Sequence, residues 1–394
     1  MRFLRNLSVT KGVGGSKLGN RRRNHLRLST TLFLATAVTA GRGFVPIPSL
    51  ATTIATRTVS NMSNNNVVFE EGRGASTATN ETSKEFLLNR PSGAYTTART
   101  SANAKRIFEW EAHVERTANS LASMMEKESK ESSNHSKLSS KLSDPLVLRK
   151  RLDAAVEEAV QLHLQNNGAS PSQQQELKIT VLVGWEGGAQ ETSNDAAGDS
   201  GWVACHVTGL PQIPSKPVRV EIRGSPRDNA LAKDSAWVSD RAPLEALMQS
   251  ASCGGPVNEL LLANEQGQLL EGSQTNFYAV IDGAVWTAGE GILEGTVRGL
   301  LLDVCQKEGI PVILEPPNLD TLESWEGALI SSTSRLALPI DQLYVPSEGL
   351  PSDKNDLKKE FDNESSLSIA AKLQRLVSLE VEARSTPIGE PVPI

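Results

Sequence analysis

The sequence predicts a mixed α/β protein with two folded domains. Its 394 residues are enough for two domains of ordinary size. From residue 81 onward, short apolar strands alternate with helical patterns, which is typical of α/β layers packed on shared cores. We place the first domain at residues 81–215 and the second at residues 216–394.

The first domain is predicted from two helical and two strand patterns. Apolar residues recur at helical spacing over Ile107–Ser120. A stronger helix is predicted over Asp144–Leu164, whose aspartate and proline at the start suit the N-cap and the first helical position. Leu177–Gly184 has the pattern of a strand, and Pro217–Ile222 predicts a strand where the second domain begins.

The second domain continues with strands broken by Gly, Asn and Asp, a pattern that favours hairpins. Gly295–Gly309 predicts a helix. Ile310–Leu314 and Ala328–Ser331 are predicted as strands that lead into turns. Leu367–Val381 predicts a last helix with an apolar face.

The first 80 residues have the composition of a targeting leader. Met1–Phe69 contains many Arg and Lys residues but no Asp or Glu, which is the charge signature of an organelle-targeting peptide. The apolar run Leu28–Ala40 is too short to span a membrane as a mature helix. A signal followed by a transit segment suits a plastid reached through the secretory route, with a mitochondrion as the alternative. We therefore assign residues 1–80 to a leader and disordered chain, outside the fold.

Two further segments are predicted to be disordered. Residues 126–143 and 346–366 are rich in Ser and charged residues and poor in large apolar ones. Such segments cannot bury enough apolar surface to offset the entropy of ordering. We interpret the first segment as an insertion between two helices.

Composition excludes several classes of function. The formal net charge is -6, and the central region has no dense basic stripe, so a nucleic-acid-binding protein is not expected. Cys205, Cys253 and Cys305 lack the spacing of a zinc site or a disulfide framework. The five histidines show no HExxH pattern, so no metal site is predicted. No mature transmembrane helix is expected.

Three features of the second domain could contribute to one site. Glu271 follows an apolar run and precedes a Gly-Ser turn, where a surface Glu would be the ordinary interpretation. Gly295 precedes a helix whose first N–H groups could bind a phosphate. Lys233 lies among small residues, where desolvation could make it a nucleophilic amine, although most lysines are solvated.

The order of these motifs resembles the class IV aminotransferases, which are pyridoxal-phosphate (PLP) enzymes of fold type IV. The chain shows a lysine, then Glu-Gly-Ser-x-Thr-Asn, then Gly-x-Leu-x-Gly, then Ser-Ser-Thr. Its runs RGSPRDNALAKDSAW, ELLL, LLEG and TNF are similar to plant and algal D-amino acid aminotransferase-like members. The resemblance implies a small α/β domain, a larger mixed-sheet pseudo-barrel domain and a homodimer.

The resemblance also implies a role for individual residues. Lys233 would form the Schiff base with PLP and move the substrate proton, and Glu271 would face the pyridine nitrogen and favour its protonation. The phosphate would be held by one arginine and two turns, namely Arg116, Thr296, Val297, Ser332 and Thr333. Tyr95 and Arg99 would lie at the substrate pocket.

Three functions are compatible with this resemblance. The first is transfer of an amino group between an amino acid and a 2-oxo acid, both small molecules, by a PLP-dependent transaminase. The second is 4-amino-4-deoxychorismate lyase activity, and the third is a catalytically weak binding protein with the same fold. The Ser-Ser-Thr segment resembles the aminotransferases more than the lyases, and a dead scaffold would have no physical need for both Lys233 and Glu271.

Overall fold

The computed structural model describes residues 66–131, 142–167, 175–185, 201–249, 251, 255–347 and 356–389. All of these residues belong to one compact unit. Most of the predicted leader, Cys253 and parts of both predicted disordered segments lie outside the described residues.

The strands are numbered in chain order. Those of the first half are β1 (Asn66–Glu70), β2 (Thr77–Thr79), β3 (Ala94–Ser101), β4 (Arg106–Phe108), β5 (Leu177–Gly184), β6 (Trp202–Gly209), β7 (Arg219–Ile222) and β8 (Glu259–Ala263). Those of the second half are β9 (Leu269–Gly272), β10 (Asn276–Ile281), β11 (Ala284–Trp286), β12 (Val312–Ile313), β13 (Trp325–Ser332), β14 (Leu336–Pro339), β15 (Gln342–Val345), β16 (Leu357–Glu360) and β17 (Ser385–Pro387).

The α-helices are numbered in the same way, and a short 3₁₀ helix covers Leu319–Ser324. They are α1 (Ser83–Leu88), α2 (Trp110–Glu131), α3 (Pro145–Asn167), α4 (Ala236–Asp240), α5 (Ala242–Leu247), α6 (Thr296–Lys307) and α7 (Ile369–Glu380). Asp144 caps α3 as predicted, because its Oδ1 accepts a hydrogen bond from the N–H of Leu146 at 2.8 Å.

A seven-stranded sheet in the order β17-β4-β3-β5-β6-β1-β2 forms the first layer. Its neighbouring strands pair antiparallel. Helices α2 and α3 pack on it and bury a continuous apolar core, to which Leu121, Leu152 and Ile179 contribute. Because side chains alternate along a strand, the other face of β3 and β5 remains available to line a site.

A larger mixed sheet forms the second layer, in the order β12-β11-β10-β9-β8-β7-β15-β16, with β13 and β14 added beside β10. Strand β7 pairs in parallel with β8 and β15, whereas β8, β9 and β10 pair antiparallel in sequence. One core, which includes Phe277 and Trp325, lies within this sheet. A second core joins it to α6 and α7. The predicted mixed α/β class with two layers is confirmed.

The structure corrects four boundaries that were predicted from the sequence. Strands β1 and β2 lie within the first 80 residues, which were predicted to lie outside the fold. The apolar run of β1 is ordered because it pairs with β6. The predicted helix at Ile107–Ser120 begins later, since β4 pairs with β3 and Glu109 has a φ of 48°. Helix α2 then continues to Glu131, inside the predicted insertion. Strand β16 pairs with β15 inside the segment predicted as disordered at 346–366.

None of the helices that the structure describes is long and apolar enough to cross a membrane. Within the same described ranges, His, Cys, Asp and Glu side chains form no group of three or more that could hold a metal ion.

Candidate active site

Most of the predicted site residues surround one cavity of about 230 Å³. Eight of the nine line it, namely Tyr95, Arg116, Lys233, Glu271, Thr296, Val297, Ser332 and Thr333. They come from both sheets and from helices α2 and α6. Residues that are distant in sequence therefore meet where the two layers face each other.

Lys233 lies just before α4, and backbone hydrogen bonds fix its position. Its N–H donates to Ser120 Oγ at 3.0 Å, and its carbonyl accepts from the N–H of Tyr95 at 2.9 Å. The ammonium lies 4.7 Å from the centroid of the Tyr95 ring. Burial, aided by nearby arginines and opposed by Tyr95, lowers the pKa of Lys233 to about 8. About one-tenth of this amine is therefore unprotonated and nucleophilic at pH 7, far more than for an ordinary lysine.

Glu271 is the third of the four residues of β9 and is only 4% exposed. Its Oε1 accepts a hydrogen bond from Arg227 Nε at 2.7 Å, and its Oε2 accepts from the N–H of Leu293 at 3.1 Å. Burial raises the pKa of Glu271, and the charge of Arg227 opposes that rise. The ordinary interpretation of a surface Glu is therefore wrong for this residue.

The start of helix α6 is uncapped and opens into the cavity. Its N-cap residue, Gly295, has no side chain to pair with the first N–H groups. A Cβ at this position would lie 2.4 Å from Asn276 Oδ1, so a larger residue would have to displace that buried side chain. The hydroxyl of Thr296 is buried and has no hydrogen-bond partner among the described residues, and Val297 is fully buried. These groups form a polar, electropositive end to the cavity.

Arg116 reaches the cavity from α2. Its Nη2 donates a hydrogen bond to Thr96 Oγ1 at 2.8 Å and lies 3.1 Å from His113 Nδ1. Its Nε is buried without a partner in the part of the chain that the structure describes. Burial lowers the pKa of Arg116 to about 10, so the guanidinium remains charged at neutral pH. This arrangement leaves a cationic donor for an anionic ligand.

The wall formed by β3 and β5 carries further polar groups. Burial alone would raise the pKa of Tyr95, but nearby cations, foremost Lys233 and Arg241, outweigh it and bring that pKa to about 8. Lys178 and Thr180 follow on β5. Burial lowers the pKa of Lys178, and the hydroxyl of Thr180 is buried without a described hydrogen-bond partner.

Arg99 is the exception among the predicted residues. It lies on β3, paired with Lys178 of β5, and is not part of the cavity lining of this chain. Strand alternation places it on the same face as Tyr95, but four residues further along the strand. Its place in the substrate pocket therefore stays a prediction.

The cavity also contains residues that the sequence analysis missed. Arg227, Arg241 and Arg335 all line it, together with Lys178 and Thr180. Arg227 stands within the RGSPRDNALAKDSAW run that drew attention to Lys233, so its charge so close to the lysine was an available signal. For the two β5 residues, the only signal was period-2 alternation on a strand beside Tyr95.

A comparison with protein families matches the "Amino-transferase class IV" model to residues 93–343, which is more than half of the chain. A protein of Methanocaldococcus jannaschii that carries the name of a branched-chain-amino-acid aminotransferase is 28% identical over 89 residues. That match covers 22% of this chain and 31% of the relative, so it spans about a third of the relative's length.

Solved structures share the fold at low sequence identity. A branched-chain aminotransferase from Thermoproteus uzoniensis, with norvaline, has a TM-score of 0.56 and 20% identity, covering 82% of this chain and 99% of its own. A fold IV-transaminase from Curtobacterium pusillum has a TM-score of 0.54 and 18% identity, with coverages of 81% and 99%. A hypothetical aminotransferase from Mycobacterium tuberculosis, in a PLP-bound form, has a TM-score of 0.55 and 18% identity, with coverages of 81% and 99%. The predicted fold type IV is thus confirmed.

Proposed function

The chain belongs to the amino-transferase class IV family, and on this basis we propose that it is a PLP-dependent aminotransferase. It would move an amino group between an amino acid and a 2-oxo acid. The observation that carries this proposal is the convergence of Lys233, Glu271 and the uncapped start of α6 on one cavity.

The residues present fit PLP. Its phosphate is a dianion, and one end of the cavity carries donors without partners among the described residues, at Arg116 Nε and Thr296 Oγ1. Ser332 and Thr333 add hydroxyls from the turn after β13. Glu271 supplies the carboxylate for the pyridine nitrogen, and Lys233 supplies the amine for the aldehyde carbon. When bound, PLP supplies an electron sink for the electron pair left on the substrate α-carbon.

Lys233 is suited to hold and move a proton at Nζ. A general acid–base is most effective when its pKa lies near the working pH, and burial brings that of Lys233 to about 8. Its backbone is hydrogen-bonded to Ser120 and Tyr95, which fixes the point from which the side chain enters the cavity. Burial also limits the access of water to the reacting carbon.

Glu271 holds negative charge at a fixed position in the wall. Arg227 and the N–H of Leu293 each engage one carboxylate oxygen, which restricts its rotation. Because Arg227 opposes the effect of burial, the carboxylate keeps more of its charge than an unpaired Glu would at this site. A charged carboxylate favours a proton on a neighbouring pyridine nitrogen.

The β3–β5 wall would bind the substrate carboxylate. Lys178 has neither a hydrogen bond nor an ion pair through its side chain among the described residues, and Thr180 adds a hydroxyl without a partner there. Arg241 is already paired, since its Nε donates to Glu245 Oε1 at 2.8 Å. Lys178 is thus the cation of this wall that has no carboxylate to balance it in the described chain.

Activity of the purified protein tests this proposal. Protein loaded with PLP is incubated with single L- or D-amino acids and 2-oxoglutarate, and the new 2-oxo acid is measured. We expect turnover with at least one donor, and loss of turnover in Lys233→Ala. Release of pyruvate from aminodeoxychorismate without transamination would instead identify a lyase. PLP binding without either reaction would indicate a binding protein.

We also propose a leader and a homodimer. The absence of Asp and Glu from Met1–Phe69 supports import into an organelle, most simply a plastid. Because β1 begins at Asn66 and pairs with β6, we place the removed leader before that strand. The family resemblance supports the homodimer, and sedimentation of the loaded protein tests it.

A further inference from the structure

Beneath the cavity lies a fully buried carboxylate, Glu259, that takes no direct part in the proposed chemistry. It begins β8 and is 0% exposed. Its Oε1 accepts hydrogen bonds from Ser273 Oγ at 2.6 Å and from the N–H of Leu260 at 3.0 Å. Its Oε2 accepts from Arg335 Nη1 at 2.9 Å. Burying a carboxylate is costly, so each of these contacts must offset part of that cost.

The two side chains that Glu259 holds belong to two different turns of the cavity wall. Ser273 lies in the turn directly after Glu271. Arg335 lies in the turn after β13, and its N–H lies 3.3 Å from Ser332 Oγ, to which it donates. Both Ser273 and Arg335 line the cavity. One buried carboxylate therefore connects the turn on the Glu271 side with the turn that carries the hydroxyls at the phosphate end.

The space around Glu259 is closed. A Cβ built on Gly272 would lie 3.0 Å from Glu259 Cγ and 3.1 Å from its Cδ. The N–H of Ser273 also donates to the carbonyl of Leu260 at 2.9 Å. The turn thus rests directly on this side chain, and a change in Glu259 is transmitted to the turn without an intermediate.

We propose that Glu259 is a positioning residue that sets the distance between the Glu271 turn and the Ser332–Thr333 turn, and so the fit of a phosphorylated cofactor. This inference rests on the proposed function, which identifies the phosphate end of the cavity. In this proposal, Arg335 serves mainly to bind Glu259, and this contact holds the Ser332–Thr333 turn in place.

The matched control is Glu221, on the neighbouring strand β7. It is also 0% exposed and also paired with an arginine, at 2.6 Å from Arg223 Nε. Strands β7 and β8 are adjacent and parallel, with Glu221 opposite Leu260. Glu221 does not line the cavity. Glu221→Gln therefore reproduces the loss of a buried charge on a strand that carries neither turn.

The experiment titrates inorganic phosphate and PLP into cofactor-free wild type, Glu259→Gln and Glu221→Gln. If only charge mattered, neutralising Glu259 would remove a repulsion and tighten the binding of both phosphate and PLP. A positioning role predicts the opposite sign, and we expect both dissociation constants to rise about tenfold in Glu259→Gln, the effect of losing one charge-assisted hydrogen bond. Unchanged or tighter binding in Glu259→Gln, or an equal change in Glu221→Gln, would overturn the proposal.

A second pair of variants covers the case in which Glu259→Gln does not fold. Ser273→Ala and Arg335→Gln each remove one contact, and their side chains are linked through Glu259. We expect the double variant to deviate at least about threefold from additivity in PLP affinity, because the two contacts share one carboxylate. Additive effects would contradict the link. If the wild type binds neither phosphate nor PLP, the proposed function fails instead.

Discussion

The buried ion pair between Arg227 and Glu271 allows the loss of stability in an Arg227 variant to be predicted from the structure. The two side chains are 7% and 5% exposed, and their charged atoms lie 2.7 Å apart. Arg227→Met would leave Glu271 buried with only the Leu293 N–H as a partner. Breaking one side of a buried pair costs about 3–5 kcal/mol of unfolding free energy. We expect a loss in this range at high pH.

The loss should depend on pH in a defined direction. Burial raises the pKa of Glu271 in the folded protein, and Arg227 opposes that rise, so the variant should raise it further. An acid whose folded pKa lies above its unfolded value binds more protons when folded. Its protein is therefore most stable at low pH and loses stability as the pH rises through the folded pKa. We expect the variant to lose less stability at about pH 5.5 than at about pH 8.5.

Urea unfolding of the cofactor-free protein at both pH values measures this effect, and a PLP titration at the same pH values measures the consequence for binding. The control is Arg223→Met, because its partner Glu221 is also buried but lies outside the cavity. That control should lose stability and keep its PLP affinity. Equal stability losses of Arg227→Met at both pH values, with unchanged PLP affinity, would refute the assigned role of the pair.

Three further predictions concern other parts of the chain. Arg116→Ala should weaken PLP binding by about ten- to more than a hundredfold in a titration, since a charge-assisted hydrogen bond contributes about 1.5–3 kcal/mol; unchanged affinity would place the phosphate elsewhere. Lys178→Met should raise KM for the amino donor about tenfold with little change in kcat, because the residue binds substrate and not the reacting atoms; a fall in kcat alone would contradict this. A fluorescent fusion to residues 1–65 should be imported into a plastid and cleaved, and diffuse, uncleaved fluorescence would contradict the leader.

The sequence predicted the middle of the first layer better than its edges. Strand β5 was predicted with its observed ends, because its apolar run is buried on both sides. Strands β1 and β2 were missed, because the acid-free composition of the leader continues into β1 without a break. Composition over a long window cannot show where a leader ends and an edge strand begins.

The candidate site could be predicted where chemistry is carried by short motifs. Lys233, Glu271 and the start of α6 each stand in a local pattern, and the structure places them around one cavity. Arg227 was missed although it stands in the same run as Lys233. Glu259 could not be assigned, because its role depends on which turns the folded sheets bring together. The role of Arg99 stays a prediction, since strand alternation gives the face of a residue but not whether its position along the strand falls inside a cavity.

The location of covalently bound PLP tests the role of Lys233. The protein is loaded with PLP, reduced with borohydride and digested, and the modified peptide is identified by mass spectrometry. We expect a phosphopyridoxyl group on Lys233, because this amine is buried in the cavity with a pKa lowered to about 8. Lys178→Met should keep this modification, and Lys233→Ala should lose it. Modification of a different lysine, or no modification at saturating PLP, would contradict the role of Lys233 as the PLP-binding residue.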